Sequence, residues 1–164
     1  MIKSEPAKIP TLYEWAGGME PINRLVNRFY DHAVKDDLLA PYFIHMPKDH
    51  VSLVAEWFAE VMGGPNAYSK RYGKMNAHPH MIRQHKDLSI SNEVRRRWVY
   101  LMSQSADEEK LPNDAEFRSA FMAYVEWGTH MAEMFSQKGS ALPTSIPMPH
   151  AGWGERPPYN LRSQ

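Results

Sequence analysis

A chain of 164 residues, 43% apolar and carrying five Trp, eight Tyr and six Phe, is long enough for one domain with a real core and too apolar for general disorder. Nineteen Lys plus Arg balance nineteen Asp plus Glu, which removes the electrostatic basis for binding nucleic acid or an acidic membrane, and zero cysteines exclude disulfides, thiolate ligands and a thiol nucleophile. No segment approaches membrane-spanning length and the N-terminus lacks the apolar run of a signal peptide, so a cytoplasmic protein is expected.

Residues 1–10 read as an N-terminal extension. Thr11 then caps a short helix or turn to Ala16, stopped by Gly17 and Gly18. From Met19 to about Val34 the set Ile22, Val26, Phe29, Tyr30 and Ala33 recurs at three and four residues, which marks one helical face. A compact connection with Pro41, Tyr42, Phe43 and Pro47 follows. Lys48 to Met62 is the next predicted helix, with His50, Val54, Phe58 and Val61 as its stripe and Gly63-Gly64-Pro65 as its stop. Pro65 to Ala77 lacks a clean period and reads as loop with at most a turn of helix. Pro79 suits the first position of a short helix reaching about Lys86.

Ser91 caps the next helix, with Glu93 in its first turn; Val94, Trp98, Leu101 and Met102 face inward and Arg95, Arg96 and Arg97 fall on the solvent side. A long helix runs from Asn113 to about Gln137 with Phe117, Phe121, Tyr124, Val125, Gly128, Met131 and Phe135 inward. No strand pattern competes, so the class is all-α, with a domain over residues 11–138. Residues 139–164 hold five prolines, which forbid a continuous helix, and form an extended tail laid along the domain through Trp153 and Tyr159.

The chemistry centres on His85. A haem needs an apolar slot, one strong axial donor and chosen polar groups on its open face, and a neutral imidazole is the usual proximal donor. Tyr30 stands on an otherwise apolar helical face, where a buried phenol requires a partner, and Trp98 brings an indole N–H to an inward stripe. His50 and Val54, four residues apart, cover the same spot. Together these residues resemble the lining of a ligand cage.

The segments Thr11-Leu12-Tyr13-Glu14-Trp15-Ala16-Gly17-Gly18, Asn27-Arg28-Phe29-Tyr30, Leu39-Ala40-Pro41-Tyr42-Phe43, Gly63-Gly64-Pro65 with Tyr68-Ser69, Met81-Ile82-Arg83-Gln84-His85 and Arg95-Arg96-Arg97-Trp98 occur in order with helical spacings between them. In this the chain resembles the group II truncated haemoglobins from about Thr11 to Gln137. The resemblance implies a two-over-two helical sandwich around haem b, with His85 as proximal iron ligand, Tyr30 as distal tyrosine and Trp98 as the tryptophan typical of the group. It places Phe43 at an aromatic position packing on the haem, where several relatives have Tyr, and His50 and Val54 at the gate and one turn beyond. Phe58 and Met81 are further candidate haem contacts, and Tyr68, Lys70, Arg71 and Arg83 are candidate partners for the propionates. The loop between Gly63 and His85 is longer than in the relatives.

The function so implied is reversible binding of dioxygen or another diatomic ligand (NO, CO) or sulfide. Redox or NO- and peroxide-detoxifying chemistry would need an external reductase. The protein is expected as monomer or homodimer. Two competing readings carry their own residues. A non-haem metal enzyme can be drawn from His78 and His80 with Glu126, His130 and Glu133 at helical spacing. An interaction module can be drawn from the proline-rich tail docking on an aromatic groove. A visible absorbance spectrum separates all three.

Overall fold

The computed structural model describes residues 7–158 and is all-helical across them. Helix α1 (Leu12–Ala16) opens with Thr11, whose Oγ1 accepts from the Glu14 backbone at 3.1 Å while Glu14 Oε2 accepts from the Thr11 backbone at 2.8 Å. This reciprocal cap satisfies two otherwise orphan donors and lets a helix of a single turn persist. Helix α2 (Met19–Ala33) buries Ile22, Leu25, Val26, Phe29, Tyr30 and Ala33 on one face. A short 3-10 turn, Ala40–Tyr42, leads toward α3 (His50–Val61), which starts two residues later than the periodicity predicts.

The Gly63-Gly64 pair does more than stop α3. Gly63 sits at φ +92°, and a Cβ on Gly64 would stand 2.7 Å from the Ala59 carbonyl and 2.6 Å from the Tyr13 ring. Only glycines therefore let α1 close onto the end of α3, where Tyr13 N donates to the Met62 carbonyl at 2.9 Å. Beyond them the expected loop contains a full helix, α4 (Ala67–Tyr72). Its start is fixed by the buried Glu60, whose carboxylate accepts from Ser69 N at 2.9 Å, a long-range cap that periodicity does not reveal. Helix α5 (Ala77–Arg83) begins earlier than predicted and carries Pro79 at its third position rather than its first. Proline is tolerated there because the missing N–H is among those a helix start leaves unpaired.

Helices α6 (Asn92–Glu108) and α7 (Ala115–Phe135) are capped by Ser91 and Asp114, which accept from Val94 N at 3.2 Å and Phe117 N at 3.0 Å. α2 packs against both α3 and α6, and α6 against α7, giving the two-over-two arrangement. One expectation fails here. Arg95 is not on the solvent side but buried, with Nη1 2.8 Å from Glu126 Oε2 and Nε 3.1 Å from Glu133 Oε2, the latter out of line for a hydrogen bond. Helical period places Arg95 beside the inward stripe, and two carboxylates on α7 make burial of its charge tolerable.

After Ser136 the chain is extended and crosses back over the helices. Ile146 N donates to the Met75 carbonyl at 3.1 Å, Ala151 N to Val61 at 2.8 Å, and Trp153 Nε1 to Pro10 at 2.7 Å. Trp153 also meets Trp15 edge-on at 5.7 Å, and Met148 is buried. The expected anchoring at Tyr159 lies outside the described residues.

Candidate functional site

His85 lies in the turn that ends α5. Its Nδ1 is 3.0 Å from the Met81 carbonyl, an acceptor only, so Nδ1 carries the proton and the Nε2 lone pair is left to bind. Burial, with the nearby His50 imidazole adding repulsion and the Met81 carbonyl opposing, holds the His85 pKa below its ordinary value, which favours the neutral, ligating form.

On α2 and α3, Tyr30 Oη and His50 Nε2 are 2.7 Å apart, with their rings edge-on at 5.2 Å. Phe43 completes this cluster, edge-on to Tyr30 at 5.3 Å and 6.3 Å from His50. Burial pushes the Tyr30 phenol up and the His50 imidazole down, so both are neutral and the pair holds one shared hydrogen bond and no charge. Trp98 joins from α6 through Phe29, at 4.6 Å between ring centres. The indoles of Trp15, Trp57 and Trp153 are hydrogen-bonded, whereas that of Trp98 donates to none of the described residues. Val54 is half-buried one turn beyond His50, and Phe58 is buried between Phe121 and Tyr124.

The four candidate propionate partners separate. Lys70 and Arg83 are exposed and enter no ion pair among the described residues. Arg71 is engaged by Glu56 at 3.0 Å. Tyr68 is buried, and its hydroxyl meets His80 Nδ1 at 2.9 Å. Met81 contributes its carbonyl to His85 and packs on the core.

Sequence reasoning missed Ser136. It is fully buried at the end of α7, its Oγ accepting from Ile90 N at 3.0 Å and its carbonyl from Ser89 N at 2.9 Å. These bonds pin the segment leaving His85, in which Asp87 and Ser89 adopt left-handed backbone at φ 60° and 50°. A lone serine after a helix gives no periodic signal.

The non-haem alternative does not assemble. Among the described residues no group of three or more His, Asp or Glu side chains could hold a metal ion. Glu126 and Glu133 are drawn to Arg95, while His78 and His80 bond Pro147 and Tyr68. The chemistry of the donor set fits a porphyrin: an unbonded Nε2 on a neutral imidazole, a neutral Tyr30–His50 hydrogen-bonded pair, an indole N–H unbonded among the described residues, and apolar side chains at Phe43, Val54 and Phe58 packed with the core.

Comparison with known proteins gives one answer. The family model for bacterial-like globins matches residues 11–134. A group 2 truncated hemoglobin of Bacillus subtilis is 26% identical over 109 residues, which is 66% of this chain and 78% of that protein. A group II 2-on-2 hemoglobin from Agrobacterium tumefaciens superposes with a TM-score of 0.61 at 27% identity, covering 79% of this chain and 97% of that one. The group II truncated hemoglobin from Bacillus anthracis shares the fold at a TM-score of 0.67 and 22% identity, over 79% and 92% of the two chains.

Proposed function

As a member of the bacterial-like globin family with the two-on-two fold of the group II truncated haemoglobins, the chain binds haem b and, through it, dioxygen and other small diatomic ligands; we propose that His85 is the axial ligand and that Tyr30 and Trp98 hold the diatomic, with His50 on the same side orienting Tyr30. When bound, haem supplies an iron that takes the ligand and exchanges single electrons. The free Nε2 of a neutral His85, together with the enclosed, uncharged Tyr30–His50 bond, supports this assignment.

His50 in its Nε2–H tautomer donates to the Tyr30 oxygen, which orients the phenol and leaves its proton for the ligand. Trp98 Nε1–H supplies a second donor from α6. Phe43, Val54 and Phe58 keep water away, so each donor acts in a low-dielectric space where a hydrogen bond is strong. Lys70 and Arg83 are the cations left to meet the propionates.

Two donors on one ligand slow its escape, and a slowly released ligand is better suited to reaction than to carriage. We therefore extend the proposal to nitric oxide or peroxide chemistry, with electrons from a separate reductase, in a cytoplasmic monomer or homodimer. No helix among the described residues is long and apolar enough to cross a membrane.

His85→Gly tests the assignment. The purified wild-type protein is expected to show an intense haem band, and the variant to lose the histidine fifth-ligand spectrum and recover it on addition of free imidazole. An unaltered spectrum in His85→Gly overturns it. Mixing the oxygen-loaded wild type with nitric oxide is expected to give nitrate in a single turnover; recovery of both gases unreacted refutes the extension.

A further inference from the structure

Tyr68 does not need a base to be buried. A phenol enclosed by protein is usually satisfied by a carbonyl, yet this one, 2% exposed, meets an imidazole nitrogen, His80 Nδ1, at 2.9 Å. No other described group is in place to accept the phenolic proton, so Tyr68 donates and Nδ1 accepts. His80 is therefore the Nε2–H tautomer, and burial followed by the nearby Arg83 charge keeps it neutral at rest with that lone pair filled.

Two further contacts turn this bond into a device. The Tyr72 ring stacks on His80 at 3.8 Å with an interplanar angle of 14°, a face placed to stabilise an imidazolium. On its other side Tyr68 meets the Trp57 ring at 5.1 Å, and Trp57 precedes Phe58, the buried member of the stripe that lines the site. An easily oxidised indole thus packs on the phenol from α3, the helix that also carries His50, Val54 and Phe58.

We propose that Tyr68 and His80 form a proton-coupled redox pair that gives one electron, by way of Trp57, to the haem site when a hydroperoxide is reduced there. This rests on the haem assignment above. The hydroperoxide takes up two electrons and two protons as its O–O bond breaks, leaving as an alcohol, or water from hydrogen peroxide, and water. One electron is drawn from the haem and the other from Tyr68. The phenolic proton of Tyr68 passes to His80 Nδ1 in the same event, and the two protons consumed at the peroxide come from solvent. An oxidised phenol is so strong an acid that even a weakened imidazole takes its proton, and the opposing Arg83 charge favours the proton's return. Two electrons from one-electron donors of the ascorbate class then close the sequence, one restoring the phenol, with the proton coming back from His80, and one returning the haem to its starting state.

Tyr124 supplies the control. It too is a phenol beside Trp57, half-buried on α7, but its oxygen accepts from Trp57 Nε1 at 2.6 Å and no described base takes its proton. The test mixes the ferric haem-loaded protein with hydrogen peroxide, follows the haem band to confirm that the site reacts, and freezes samples for electron paramagnetic resonance. Ring-deuterated tyrosine identifies a phenol-centred radical. That signal is expected in the wild type and in Tyr124→Phe, to be lost in Tyr68→Phe, and to be lost or slowed in His80→Gln, which keeps a neutral partner but no base. A haem band that responds to peroxide while the radical is absent, or while it persists unchanged in Tyr68→Phe and His80→Gln, overturns the pair and leaves the haem assignment standing. A protein without the haem band overturns both.

Discussion

Tyr30 and His50 hold each other at 2.7 Å, and this bond determines how the distal side acts. If the phenol serves the ligand, Tyr30→Phe removes a donor worth about 1 to 3 kcal/mol and speeds oxygen release by roughly one to two powers of ten. Trp98→Phe should act in the same direction. His50→Leu removes no direct contact in this scheme but frees the phenol to rotate, so its effect should be smaller than that of Tyr30→Phe. Stopped-flow displacement of oxygen from the three variants decides; unchanged rates in both Tyr30→Phe and Trp98→Phe would show that the diatomic sits elsewhere. Tyr30, His50 and Trp98 stood out in the sequence because a polar group on an apolar helical stripe has few reasons to be there, whereas His85, in the turn after α5, stood out through its imidazole chemistry and the motif around it. Tyr68 was not legible in the same way. Its partner is chosen by the approach of α4 to α5, and from sequence its hydroxyl looked available to a propionate.

At the scale of elements, the segment after His85 depends on α7. Ser136→Ala leaves Ile90 N, half-buried, without its partner beside a left-handed stretch of backbone, and should cost about 1 kcal/mol. Faster haem loss to an acceptor apoprotein, with an otherwise native helical spectrum, is the outcome expected. Arg95 makes a second, asymmetric case. Removing the guanidinium in Arg95→Leu leaves Glu126, half exposed, and Glu133, one-quarter exposed, able to turn to water. Removing Glu126 and Glu133 together strands a buried cation, for which losses of about 3 to 5 kcal/mol are typical. Urea unfolding should therefore rank the double Glu126→Leu, Glu133→Leu variant well below Arg95→Leu; equal losses would show that Arg95 reaches water by another route. The helices themselves were read from periodicity and caps with ends displaced by one to three residues. What failed was the side of α6 on which Arg95 falls and the extent of α4, read as one turn at most, both settled by partners on other helices, Glu126 and Glu133 in one case and Glu60 in the other.

Across the whole molecule the segment after α7 ties α5, α3 and α1 together, and the prolines that forbid helix are what made an extended strap foreseeable there. The partners it selects were not foreseeable, since backbone carbonyls carry no sequence signal. One of its ties can be titrated. His78, 6% exposed, donates from Nδ1 to the Pro147 carbonyl at 3.1 Å, and burial holds its pKa below the ordinary value near 6.5 in spite of that bond. Between the lowered value and 6.5 the unfolded chain binds more protons at this position than the folded one, so stability rises with pH across that interval. The contribution is complete above 6.5 and is lost as the pH falls toward the folded-state value. One such group sets a limiting slope of roughly 1.4 kcal/mol per pH unit. His78→Asn retains an N–H for Pro147 and cannot titrate. Urea unfolding of wild type and variant between about pH 7.5 and 5 should show a shallower decline in the variant, and parallel curves would mean that His78 accepts its proton without disturbing the strap.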